Sequence, residues 1–107
     1  MSAVAPSMDR NLFVDKEDDD DRIIRVTGGT EVQGTASAIA SVFYEQNYVK
    51  VQAAGAQAVN QAVKAIAVAR SYIAVRGMDL IVRPGFINIE GRDNQTISAI
   101  VFRLSLT

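Results

Sequence analysis

The stretch Tyr48-Val49-Lys50-Val51-Gln52-Ala53-Ala54-Gly55-Ala56-Gln57-Ala58-Val59-Asn60-Gln61-Ala62-Val63-Lys64 changes period in mid-course. As far as Ala54 it alternates, as a half-buried strand does; from Ala56 to about Ile73 apolar residues recur at helical spacing, and Gly55 breaks the two. The unit is strand, turn, helix. Working outward, the β-branched run at 23–27 ends at Gly28-Gly29 and reads as an earlier strand. Thr30 is placed to cap a helix, Glu31 lies in its first turn, and Val32, Ala36, Ile39, Ala40 and Phe43 continue it as far as Asn47, a stop residue. Gly34 lowers helix propensity there, so the helix start falls between Thr30 and Thr35. Beyond the second helix, Arg76-Gly77-Met78 turns the chain into an extended segment at 79–89, in which Pro84-Gly85 implies a bulge or an edge position. Gly91-Arg92-Asp93-Asn94 is a hairpin tip before a last strand at 96–106.

The order βαβαββ predicts an α+β fold: a two-layer sandwich of one four-stranded mixed sheet with both helices on one face. Apolar residues occur on both parities of the last two strands (Leu80, Ile81, Val82; Ile100, Val101, Phe102), so the other sheet face needs cover too. With no third helix in the pattern, the expected cover is a second copy, giving a homo-oligomer with a dimer as the simplest form.

Composition narrows the chemistry. In 107 residues there is no Cys, His or Trp. That removes a disulfide framework, the usual zinc and haem ligand sets, a thiolate nucleophile and an imidazole base. The acids at Glu31, Glu45, Asp79, Glu90 and Asp93 form no recognisable pair, so the domain reads as non-enzymatic, without cofactor or metal. No apolar run approaches the ~18 residues of a membrane span and no signal peptide opens the chain, which predicts a cytoplasmic protein without a membrane partner.

The net charge of −1 hides two unequal parts. Residues 1–21 hold seven acids against Arg10 and Lys16, and residues 22–107 hold nine bases against five acids. The first part, with its acidic run at 18–21, has the composition of a disordered arm; the second is the folded domain. The acidic run is a solvated tail in the simplest reading, and in a sharper one a polyanion that occupies the basic surface of its own domain.

Two strand-to-helix junctions can receive an anion. At the first, Gly29 and Gly34-Thr35 have the spacing of a phosphate loop but lack its Lys, and Thr30 stands where a dinucleotide fingerprint needs Gly, so a turn plus cap is the expected role. The second is the better candidate: Gly55 at the turn, then Gln57, Asn60, Gln61 and Lys64 on one stripe of the helix, all able to bond phosphate oxygens. Arg92, on the hairpin tip, can reach a groove. The aromatics are scattered and read as core.

The run from Gly55 to Arg70, Gly-Ala-Gln-Ala-Val-Asn-Gln-Ala-Val-Lys-Ala-Ile-Ala-Val-Ala-Arg, with Val51-Gln52-Ala53 before it and Gly77-Met78-Asp79-Leu80-Ile81 after it, resembles the stage V sporulation protein S family. The resemblance extends over about residues 23–105 and leaves out the acidic arm. It implies a small bacterial protein with a part in sporulation or development and a fold similar to Alba, an archaeal chromatin protein that is dimeric and binds DNA and RNA. Carried onto matching positions, it implies a nucleic-acid-facing group of Gly55, Asn60, Gln61 and Lys64, with Arg92 as a hairpin contact. Ala54 and Gln61 stand where Alba-like binders are basic, which implies modest affinity. A protein–protein adaptor or structural oligomer is the alternative reading, and a sensor of a phosphate-bearing metabolite a third.

Overall fold

A computed structural model describes residues 23–107 together with the backbone of a short strand at 14–16. In chain order the elements are β1 (Val14–Lys16), β2 (Ile24–Val26), α1 (Val32–Gln46), β3 (Tyr48–Ala53), α2 (Ala56–Ala74), β4 (Leu80–Glu90), a single 3₁₀ turn (Arg92–Asn94) and β5 (Thr96–Leu106). The expected βαβαββ unit is present, and β1 adds a fifth strand to its sheet. The sheet order is β1-β4-β5-β3-β2. β2 lies parallel to β3, β5 runs antiparallel to both β3 and β4, and β1 pairs parallel with residues 86–88 of β4. The expected disordered acidic arm at 1–21 lies outside the described residues except for β1.

Local chemistry fixes the helix ends. α1 starts one residue after the anticipated cap: Glu31, not Thr30, is the N-cap, and its carboxylate accepts the Gly34 N–H at 2.6 Å. Gly34 is required here, since a Cβ at that position would lie 2.9 Å from Glu31 Oε1. Thr30 instead closes the preceding turn, its hydroxyl accepting the Thr27 N–H at 2.7 Å. Asn47 ends α1 in the left-handed conformation, φ 57°, its N–H returning to the Phe43 carbonyl. Pro84 lies outside the span that β1 pairs, so β4 is an edge strand there and the proline is tolerated without a bulge.

Both helices pack on one face. Val49, Val51 and Ala53 of β3 and Phe102 and Leu104 of β5 meet Ile39 and Phe43 of α1 and Ala62, Ala65, Ala69 and Ile73 of α2. The alanines let α2 approach closely, and the fully buried Phe43 fills the space between the helices and the sheet. At the far end of this layer Tyr44 donates its hydroxyl to the Tyr72 carbonyl, and the Arg76 guanidinium stacks 3.9 Å above the Tyr44 ring.

The opposite sheet face carries a second buried cluster, Ile87, Ala99 and Val101. Its residues are 3%, 2% and 1% exposed within a single chain. They do not need a second copy to cover them, which corrects the reason given above for expecting an oligomer. The apolar residues that remain open are elsewhere: Val82, Phe86 and Ile97 on the β4–β5 hairpin and Val63 on α2.

Candidate nucleic-acid interface

Because β2 and β3 are neighbouring parallel strands, their C-terminal ends emerge side by side and so do the glycine turns that follow. Gly28 after β2 and Ala56, Gln57, Asn60 and Gln61 after β3 together line one open depression of about 290 Å³. The sequence treats these turns as separate candidates; the sheet makes them one site. Gly28 was missed as a site residue. Its contribution is closeness, since a Cβ there would lie 2.9 Å from Gln57 Oε1 and 3.1 Å from Gln57 Cβ.

The two helix starts differ electrically. At α1 the Glu31 carboxylate already occupies the orphan N–H groups and the positive end of the dipole. At α2 the N-cap is Gly55, which offers no side chain to bond the first turn. Gly55 adopts φ 94°, ψ 157°, a region essentially restricted to glycine. The turn thereby leaves the N–H groups of α2 open to an external acceptor.

The predicted residues take distinct places. Gln57 and Asn60 are exposed in the depression. Gln61 is half-buried and donates from Nε2 to the Thr30 carbonyl at 2.9 Å, so its amide ties α2 to the β2–α1 loop. Lys64 is exposed one turn further along the same helix, outside the depression. Arg92 lies on the hairpin tip, in the 3₁₀ turn where Asp93 and Asn94 both have positive φ and the Gly91 N–H bonds the Gln95 carbonyl. β3 ends opposite Ile100, while β4 and β5 continue to the pair Glu90 and Thr96. That extension of four residues carries the tip about 13 Å beyond the Gly55 turn, at the same end of the sheet. Arg92 is therefore an arm residue and not a wall of the depression.

A second depression, lined by Ala67, Arg70, Ser71, Ala74, Met78 and Asp79, lies at the other end of α2. Its charges satisfy one another: Arg70 donates from Nε and Nη2 to the two oxygens of Asp79 at 2.8 and 3.0 Å. That pairing, with a further bond from the Leu80 N–H, holds the Asp79 carboxyl down to about 2. Among the described residues there is no group of three or more acidic side chains that could hold a metal ion, and no helix long and apolar enough to cross a membrane.

Residues 22–107 match the family described as stage V sporulation protein S. The chain belongs to that family. The family match covers both glycine turns, α2 and the hairpin. Among solved structures the fold is similar to Alba from Thermoplasma volcanium, with a TM-score of 0.53 and 21% identity over 78% of this chain and 98% of that one. At that identity the likeness establishes the architecture, an Alba-like sandwich.

Proposed function

We propose that this member of the stage V sporulation protein S family is a small non-enzymatic regulator that binds DNA or RNA as an oligomer. The contact runs along one end of the sheet. The observation that carries this reading is the contrast between the helix starts: α1 is closed by its own carboxylate, and α2 presents free N–H groups beside exposed Gln57 and Asn60, with Lys64 a turn away. Phosphate oxygens suit such donors, and the hairpin bearing Arg92 projects from the same end. The fold's likeness to Alba supports the same reading.

Affinity is modest and salt-dependent. Gln61, spent on the Thr30 carbonyl, is a positioning residue that holds the two loops together, which leaves Lys64 and Arg92 as the cations of this surface. Few cations means few released counterions, so the logarithm of affinity falls with the logarithm of salt at a shallow slope, about −0.9 per phosphate neutralised on duplex DNA. Fluorescence anisotropy of labelled single-stranded RNA and duplex DNA at two salt concentrations tests the reading; binding that salt does not weaken contradicts it.

The adaptor or structural-oligomer reading draws on the open apolar side of the hairpin. Phe86 is 50% exposed and Val82 and Ile97 are 38% and 40% exposed. We assign this side to a second copy of the chain, which places two glycine-turn sites on one particle.

A further inference from the structure

The face of the sheet away from the helices is basic by register. Arg103 of β5 stands directly opposite Lys50 of β3 on one side and Arg83 of β4 on the other, and Arg25 of β2 pairs with Gln52 in the next row but one. Phe102 and Leu104 point into the helical core, so Arg103, and with it Lys50 and Arg83, points the other way. Like charges directly opposite in a sheet repel and destabilise the pairing unless an anion lies among them. None of Arg25, Lys50 and Arg103 is without a partner. Beside this basic row, Ile87, Ala99, Val101 and Gln52 are 3%, 2%, 1% and 6% exposed on a face that neither helix covers.

The topology names the cover. β1 and β2 are the two edges of the sheet, so the chain between Lys16 and Ile24 must pass from one edge to the other. Four inter-strand steps amount to about 19 Å. Lys16 aligns through Asn88 with Ser98, and Ile24 aligns through Val51 with Phe102, an offset of four residues along the strands. That adds about 13 Å lengthwise, for a diagonal of about 23 Å. Eight extended residues span about 26 Å. The helical layer is about 10 Å thick, so the connection has no length to climb over it. The direct line across the open face passes Ile87 and Ala99, Val101 and Gln52, with the bases along its flank. The residues on that connection are Glu17-Asp18-Asp19-Asp20-Asp21-Arg22.

We infer that the acidic stretch at 17–21 is the resident ligand of this basic sheet face, an internal polyanion that covers Val101 and Gln52 and keeps external polyphosphate chains off Lys50, Arg83 and Arg103. This surface is distinct from the Gly55 turn and does not rest on the nucleic-acid reading.

Zero-length carbodiimide coupling of the full chain at low concentration tests the contact. Lys50 is expected to form an amide with a carboxyl in residues 17–21, detected by peptide mass spectrometry, and to lose it in Lys50→Arg. A 1:1 mixture of ¹⁴N- and ¹⁵N-labelled chains is expected to give that product within one label. No product at Lys50, or only mixed-label product, overturns the inference. The competition is tested with inorganic polyphosphate as probe: the variant D18N/D19N/D20N/D21N is expected to bind at least about tenfold more tightly, with the gain removed by adding K50A/R103A. An unchanged affinity overturns the competition. Lys64→Ala leaves both results in place, so failure here is separate from failure of the Gly55 site.

Discussion

Gln61 Nε2 donates to the Thr30 carbonyl at 2.9 Å, and this one bond joins the first turns of α2 to the loop that precedes α1. It sets the separation of the two glycine turns from which the candidate interface is built. Gln61→Leu keeps the approximate volume and leaves the Thr30 carbonyl without its donor. The expected cost is about 1 kcal/mol in urea unfolding, with weaker binding but an unchanged salt slope, because no charge is lost.

Gly55 offers a purely conformational test. Nothing lies within 4 Å of a Cβ built on it, yet its φ of 94° is one that L side chains rarely adopt. Gly55→Ala is therefore expected to destabilise through backbone strain alone, on the order of 1–3 kcal/mol. For a domain of this size that lowers Tm by several degrees, about 4–8 °C per kcal/mol, readable by calorimetry.

The Arg70 and Asp79 pair predicts an acid limb of the stability profile. The folded carboxyl titrates at about 2, below its ordinary 3.8, because Arg70 first and the Leu80 N–H second bond its charged form. A lowered folded value means stability that is complete above about pH 4 and lost as pH falls towards 2. Both side chains are solvent-exposed, so the effect is small. Asp79→Asn is expected to flatten this part of the profile; an identical slope in wild type and variant contradicts the assignment.

Phe86 tests the assignment of the hairpin's apolar side. Phe86→Asp, at a half-exposed position, is expected to shift the chain towards monomer in analytical ultracentrifugation with the fold retained by circular dichroism. Persistence of the wild-type association state contradicts it.

The fold was legible because its signals are local. Period changes at Gly55, turn residues at Gly77 and Gly91-Arg92-Asp93-Asn94, and Asn47 as a helix stop each act within a few residues, and each appears where the sequence puts it. Thr30 was the exception: Glu31 has the longer side chain, and it reaches the Gly34 N–H because Gly34 leaves the space. The site was legible only in part. Gly55, Gln57 and Asn60 sit where the stripe predicts, but Gly28 joins them through the parallel pairing of β2 and β3, a relation between residues far apart in the chain. The clue available was that both strands end in glycine. Gln61 read as a ligand residue because spacing reports which face a side chain is on and not which carbonyl lies within reach. Burial of Ile87 and Val101 without a helix above them likewise depends on β1 and β2 lying at opposite edges, which no local pattern encodes.

The central claim is that phosphate is met at the open start of α2. The most direct test is the salt dependence of anisotropy for labelled duplex DNA with the full chain and with Lys64→Ala. We predict that Lys64→Ala binds more weakly at low salt and lowers the slope of log affinity against log salt by about one contact, with Tm unchanged because the side chain is exposed. Equal affinity and slope in the two proteins would contradict the account and leave the fold's likeness to Alba as architecture alone.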